Sequence, residues 1–253
     1  MASINLSENL LLIFSGQHIN LFKRQNSLLD YSLLSSIDIT TIEVNLKGNK
    51  KKKTDQDKIL CSSLSNNSKY FAVESKISEG AELLGHFSML LDFCISPNGK
   101  FVLTADRDEK IRISRFPQTY VIEGFYFGHT SFVKSIAFID DNKLISGGDS
   151  IIYLWDINLF KCISTSCKVS ETAIRKVGVV EIFEEEISKE GIICLPDQSN
   201  SILLFSLNDQ QQMTKLCSFN CSNGNEYIFD FVVDVDRKTV FCVGSVLDKS
   251  KWS

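Results

Sequence analysis

The sequence predicts an all-β fold of the β-propeller kind, and two observations carry that prediction. Gly85-His86 and Gly128-His129 stand 43 residues apart, and each opens an alternating apolar run, a turn, a second run, an acidic turn and a third run. Laid over each other, residues 85–116 and 128–157 keep that order throughout. The second stretch ends on Leu154-Trp155-Asp156-Ile157, 26 residues after its Gly-His. Apolar residues at every second position mark strands rather than helices. A period of about 43 residues with Gly-His early and Trp-Asp late describes one four-stranded propeller blade.

Such units are WD-repeat blades, in which a His, a Ser or Thr, a turn Asp and a Trp form a buried hydrogen-bonded tetrad. The second repeat offers His129, Ser146, Asp149 and Trp155 at the matching offsets. The first offers His86, Thr104 and Asp108, with Ser114 and Arg115 where Trp-Asp would stand. Buried polar groups need partners, and the tetrad supplies them from within the blade. A structural role for His86 and His129 therefore outweighs catalysis or metal binding. His18, the remaining histidine, has no Cys or His at ligand spacing.

Taken in order, Leu10 to Phe14 and His18 to Phe22 read as a hairpin turning at Ser15-Gly16, and Ile37 to Val44 as a further strand. Residues 45–58, with Lys50 to Lys53 at their centre, read as a basic solvated loop. A nuclear-import signal and a phosphate contact are its functional alternatives. Ile59 to Ser75 reads as two strands around Ser65-Asn66-Asn67-Ser68-Lys69, the counterpart of Ser96-Pro97-Asn98-Gly99-Lys100. Yet Ser65 and Ser96 are only 31 residues apart, so two outer strands, needing about 15 to 20 residues, do not fit between them.

The clearest repeats are 83–127 and 128–165. Beyond them, Ala173 to Ile182, Gly191 to Leu195, Ser201 to Leu207 and Met213 to Phe219 form a blade without either dipeptide, with Glu184-Glu185-Glu186 as its exposed turn. Tyr227 to Val233 and Thr239 to Val243 begin one more. The expectation is a single domain over 1–253, an incomplete WD-repeat β-propeller of about five blade-like units, some partial. A closed seven-bladed ring needs roughly 280 to 300 residues. The short spacing before Gly85 and the ending at Trp252-Ser253 read as a shortened version of a longer propeller, with exposed sheet edges.

Composition bounds the function. The chain has 253 residues, 13 Gly, 3 Pro and 43% apolar residues, which suits a folded domain with a large core. No apolar run approaches the roughly 18 residues of a membrane span, and Asn9 to Phe14 is too short and too little flanked by basic residues for a signal peptide. Eight cysteines lie scattered with no C-x-x-C, so they read as reduced thiols rather than disulfides or zinc ligands. A net charge of −4 argues against a protein that grips nucleic acid alone.

The most distinctive stretch runs from Gly85-His86-Phe87-Ser88-Met89-Leu90-Leu91-Asp92 through Thr104-Ala105-Asp106-Arg107-Asp108-Glu109-Lys110-Ile111-Arg112-Ile113-Ser114. It continues through Phe116-Pro117-Gln118 to Phe127-Gly128-His129-Thr130-Ser131-Phe132-Val133. These residues resemble the WD-repeat non-catalytic subunit of tRNA (guanine-N7)-methyltransferase. That family has GH-x-SML-x-D followed by DRDE-x-I-(K/R)-(I/V)-S, so the departure at Ser114 belongs to its pattern. Close resemblance covers residues 83 to 157.

The resemblance implies a subunit that performs no chemistry and carries no cofactor. It would hold and stabilise, as a heterodimer, a separate Rossmann-type methyltransferase using S-adenosylmethionine to form N7-methylguanosine in the tRNA variable loop. It implies that a basic residue matching Arg112 pairs with an acidic residue of that partner. Asp106, Arg107, Glu109 and Lys110 would belong to the same contact region, tRNA would be met through the complex, and the location would be nuclear, with or without a cytoplasmic pool.

From the residues themselves, Asp106 to Arg112 packs six charges into seven positions, and strand geometry sends Lys110 and Arg112 to one face and Ile111 to the other. A solvated turn is the plain alternative. Asp108 is expected to stay in its tetrad, and charge reversal at Arg112 to weaken assembly without unfolding the domain. Asp106, Asp108 and Glu109 do not read as a metal site, because Arg107, Lys110 and Arg112 neutralise them. No glycine motif for S-adenosylmethionine, P-loop or nucleophile elbow is present. A generic scaffold for ubiquitin-ligase or chromatin partners is the competing function.

Overall fold

The computed structural model describes residues 2–6, 10–15, 18–24, 31–38, 59–64, 71–75, 88–184, 187–220, 226–234 and 239–246, and every regular element among them is a strand. Sheet one contains β1 (Ala2–Leu6), β2 (Leu10–Ser15), β3 (His18–Arg24) and β4 (Tyr31–Asp38) in that order. Sheet two has only β5 (Ile59–Leu64) and β6 (Phe71–Ser75). Sheet three runs β7 (Leu90–Ile95), β8 (Phe101–Asp106), β9 (Lys110–Arg115), β10 (Ile122–Phe127). Sheet four runs β11 (Ser135–Phe138), β12 (Lys143–Gly147), β13 (Ile152–Asp156), β14 (Lys161–Thr165). Sheet five runs β15 (Ile174–Glu184), β16 (Ile187–Pro196), β17 (Ser201–Leu207), β18 (Met213–Asn220). Sheet six pairs β19 (Glu226–Asp234) with β20 (Thr239–Val246).

All pairings are antiparallel between sequence neighbours, as short turns dictate. The first strand of each sheet meets that of the next: β1 touches β5, then β7, β11, β15 and β19 follow pairwise, and β19 returns to β1. Among the described residues six sheets thus succeed one another around a ring, four of four strands and two of two, in keeping with an incomplete propeller of about five blade-like units, some partial. A strand runs Tyr31–Asp38, and the rest of the one expected at Ile37 to Val44 lies outside the described residues. Sheet two has two strands among the described residues. The basic loop at 45–58 and His86 lie outside the described residues.

Inner strands are apolar at consecutive positions because both of their faces are buried. Successive side chains alternate between faces, so each sheet feeds two cores. Tyr153 and Trp155 of β13 join Leu103, Ile111, Ile113 and Tyr126 of sheet three. Ile152 and Leu154 turn the other way and pack with Ile174, Val177, Ile192 and Phe205 of sheet five. Leu195, Ile202, Ile228 and Phe231 repeat this between sheets five and six. Outer strands such as β14 and β18 are largely exposed.

Polar ties reinforce the sheet-to-sheet contacts near the inner strands. The Ile136 amide donates to Asp92 Oδ2 at 2.8 Å, and the Val177 amide donates to Ser135 Oγ at 3.2 Å. Lys176 pairs with Asp230. Gly148 permits the close passage of the chain entering sheet four, since a Cβ there would lie 2.0 Å from the Phe132 carbonyl oxygen.

Leu154 is fully buried between sheets four and five, whereas Ile163 on β14 is 39% exposed. Leu154→Ala should therefore cost about 2–5 kcal/mol. Ile163→Ala should cost less than about 1 kcal/mol, both read by denaturant unfolding. Equal losses would contradict the two-sided burial described here.

Candidate docking site

The site grows from a comparison of sheets three and four, which share one repeat and finish it differently. In sheet four, β12 and β13 pair Leu144 with Trp155 and Ser146 with Tyr153. Trp155 Nε1 donates to Ser146 Oγ at 2.7 Å, and the same hydroxyl lies 2.7 Å from His129 Nε2. His129 Nδ1 faces Asp149 Oδ1 at 3.6 Å, beyond hydrogen-bond reach but within electrostatic range. The carboxylate favours the tautomer with its proton on Nδ1, leaving Nε2 to accept from Ser146. His129, Ser146 and Trp155 are buried, so the residues expected as a tetrad here do converge.

Asp149 also accepts from the Thr130 amide and hydroxyl, at 3.3 and 3.1 Å, and from the Tyr153 hydroxyl at 3.3 Å. Burial alone would raise its carboxyl, but the adjoining His129 and the Thr130 and Ile151 amides outweigh that and hold it down to about 2.

In sheet three the register places Thr104 opposite Arg112 and Val102 opposite Ser114. Arg112 thus occupies the Tyr153 position and Ser114 the Trp155 position. Arg112 is 8% exposed and Asp106 only 1%. Asp106 faces Arg112 electrostatically, and burial lowers the Arg112 pKa against that charge. Thr104 Oγ1 and Ser114 Oγ are buried with no hydrogen-bond partner.

The turn above is braced from inside. The Asp108 amide donates to Asp106 Oδ1 at 2.9 Å. Lys110 Nζ spans Asp106 Oδ2 at 3.3 Å and Asp108 Oδ2 at 3.0 Å. Hydrogen bonds from Lys110 and Ser88 lower the Asp108 carboxyl, and the two carboxylates raise the Lys110 ammonium against a desolvation cost. The Arg107 guanidinium sits 4.7 Å from the centre of the Phe132 ring, a cation–π distance. Glu109 takes a positive φ of 64° at the apex.

Sequence reasoning therefore needs three corrections. Asp106 and Arg112, expected at the surface, are buried, Arg112 at the register position that Tyr153 holds in sheet four. Asp108, expected inside a tetrad, is exposed, and its side chain keeps 53% of its accessibility. Reversing the charge at Arg112 would set two carboxylates together in a buried slot, so that substitution threatens the fold itself. What remains on the surface is Arg107, Asp108 and Glu109, with Lys110 half-buried. Exposed Met89 and Phe132 flank them, since the Arg107 amide donates to the Met89 carbonyl at 3.1 Å. Those two apolar residues were not expected in the site; their one sequence signal is large apolar side chains within otherwise polar loops.

Residues 29–243 match the model of the tRNA methyltransferase TRM82 WD40 domain. The chain belongs to this family. Among its curated relatives, the tRNA (guanine-N(7)-)-methyltransferase non-catalytic subunit of Caenorhabditis elegans is 35% identical over 53% of this chain and 34% of its own length. The subunit of Debaryomyces hansenii bearing that name is 33% identical, over 66% of this chain and 42% of its own. The Homo sapiens subunit WDR4 is 41% identical, over 40% of this chain and 25% of its own. The chain thus spans between a quarter and about two fifths of the length of these relatives. A chain in the solved structure titled "Crystal Structure of Mitotic Checkpoint Complex" superposes with a TM-score of 0.63 at 13% identity, covering 95% of this chain and 70% of that one. That likeness concerns the fold alone.

The Asp149 shift sets a pH dependence. A carboxyl held below its unfolded value of about 4 stabilises the fold above that pH, and the contribution disappears as pH falls through about 2. The wild-type protein should lose about 2 kcal/mol over that window through this group alone. Asp149→Asn should be less stable at neutral pH and lack that part of the acid slope in unfolding measurements.

Proposed function

We propose that the chain is a non-catalytic WD-repeat subunit that docks and stabilises a separate tRNA (guanine-N7)-methyltransferase. One observation carries the reading at the level of the molecule: the turn at Arg107-Asp108-Glu109 is exposed, yet braced from within by Asp106 and Lys110. Family membership supplies the class of partner, since the relatives bear the name of a non-catalytic subunit of that enzyme. A rigid charged turn flanked by Met89 and Phe132 suits protein docking, in which Arg and apolar anchors dominate the energetics.

In this reading Arg107, Glu109 and Lys110 meet the partner directly. Arg112 and Asp106 hold the turn in shape, and the exposed edge of Arg112 adds to the contact. The chain brings no cofactor of its own, because the methyl donor belongs to the catalytic subunit, and it meets tRNA through the complex. The same proposal places the protein in the nucleus, which imaging of a tagged chain would test.

The paired substitution Arg107→Glu with Glu109→Arg reverses exposed charges without touching the buried pair. It should weaken co-purification with the catalytic subunit by about tenfold or more and lower N7-methylguanosine in tRNA, with unchanged thermal unfolding. Undiminished assembly and methylation in that variant would overturn docking at this turn.

A further inference from the structure

One contact recurs where successive sheets meet. The Val133 amide, at the entry to sheet four, donates to the Asp106 carbonyl of the sheet before it at 3.3 Å. The Ile174 amide donates to the Asp149 carbonyl at 2.8 Å, and the Ile228 amide to the Ser199 carbonyl at 3.1 Å. Each entry is thus pinned to the turn between the second and third strands of the preceding sheet. Between sheets three and four this corner holds the charged turn, with Arg107 against Phe132. Between sheets five and six the same corner holds a cavity of about 300 Å³, lined by Arg175, Gln198, Tyr227, Ile228 and Phe229.

The polar side of this cavity carries surplus positive charge. Asp197 Oδ1 accepts from Arg175 Nε at 2.8 Å and lies 2.7 Å from its Nη2, while Oδ2 accepts from Lys134 Nζ at 2.5 Å. Burial would raise the Asp197 carboxyl, but Lys134 and Arg175 outweigh it and hold the group below the usual carboxylate range. Two cations therefore share one carboxylate, and neither makes another ion pair among the described residues. Arg175 is engaged through Nε and Nη2, which leaves its Nη1 donors for a further acceptor.

The remaining walls are apolar and the rim is fixed. The Arg175 guanidinium lies 5.8 Å from the centre of the Phe229 ring, and Ile228 is buried. The Asp197 amide donates to the Ala173 carbonyl at 2.7 Å, and the Thr172 hydroxyl to the Asp197 carbonyl at 3.0 Å. Gln198 stands exposed on that braced turn with a φ of 54°.

We infer that this cavity is a docking pocket for an acidic residue and an adjoining large apolar side chain, presented by a segment of another polypeptide. The carboxylate meets the Nη1 donors of Arg175 and balances the surplus charge. An apolar group alone would take those donors out of water without a partner, and a cation would be repelled. Tyr, Phe and Arg are also the side chains enriched in protein interfaces. A nucleic-acid strand binds by neutralising several phosphates at once, whereas the surplus here is one charge on a chain of net charge −4. The pocket uses none of the residues of the charged turn and stands apart from the function proposed above.

The test titrates the full chain with the blocked peptide acetyl-Gly-Phe-Glu-Gly-amide and follows the backbone amide shifts of residues 198 and 229. The expected result is a saturable shift at both, with the Gln counterpart of the peptide about fivefold weaker. Gln198→Glu should weaken binding of the acidic peptide about fivefold, and Gln198→Lys should tighten it. Because Gln198 is exposed, both variants should unfold at the wild-type temperature. Shifts that do not saturate, equal affinity for the two peptides, or a response of one sign to both variants would overturn the proposal. Tighter binding of hexauridylate at the same amides would make the site one for RNA and would equally overturn it. The charge-reversed turn variant should bind the peptide normally, which separates this pocket from the other site.

Discussion

Everything in this structure depends on sheets that are apolar on both faces and therefore need a neighbour on each side. β13 shows the constraint most plainly: Tyr153 and Trp155 are committed to sheet three, Ile152 and Leu154 to sheet five. No sheet of this kind is stable alone, because removing one neighbour exposes a row of large buried side chains. Stability accumulates by nearest-neighbour contacts, as in other repeat architectures. The polar ties from Asp92 to Ile136 and from Ser135 to Val177 sit at the same junctions and fix the order in which sheets meet.

The two repeats solve one packing problem in different ways. Sheet four closes its upper margin with an indole, an imidazole and a phenol, which pack on one another, the first two bonding to Ser146 and the phenol to Asp149. Sheet three places a serine at the indole position and an arginine at the phenol position, with the buried Asp106 nearby. Asp106 and Arg112 are both buried and face each other electrostatically. The consequence of the buried carboxylate is geometric: Asp106 holds the Asp108 amide on one oxygen and Lys110 on the other, which sets the shape of the turn above. Binding through such a turn loses less conformational entropy than binding through a mobile one.

Much of this was legible in the sequence. The Gly-His spacing and Trp155 located sheet four and all four members of its tetrad, because each has a distinct chemistry at a fixed offset. The apolar runs gave most strands of sheets three to six and both strands of sheet two. The placement of charge was less legible. Asp106 and Asp108 are of one type, two residues apart, and nothing in the residues themselves says which turns inward. A run of six charges reads as solvated, whereas two of them, Asp106 and Arg112, are buried. The first sheet was only partly visible, because β1 and β4 carry mixed polar and apolar residues without the repeat's dipeptides.

The serine at 114 and the short second sheet bear on the same face. The Trp155 indole is walled by Tyr126, which comes from the outermost strand of the preceding sheet. Sheet two supplies no outermost strand among the described residues, so an indole at position 114 would have no such wall. Ser114 needs none, and the buried Arg112 at the neighbouring register position faces the carboxylate of Asp106 electrostatically. The difference between the two repeats thus lies in chemistry rather than in register: sheet four fills these positions with an indole and a phenol, sheet three with a hydroxyl and a guanidinium.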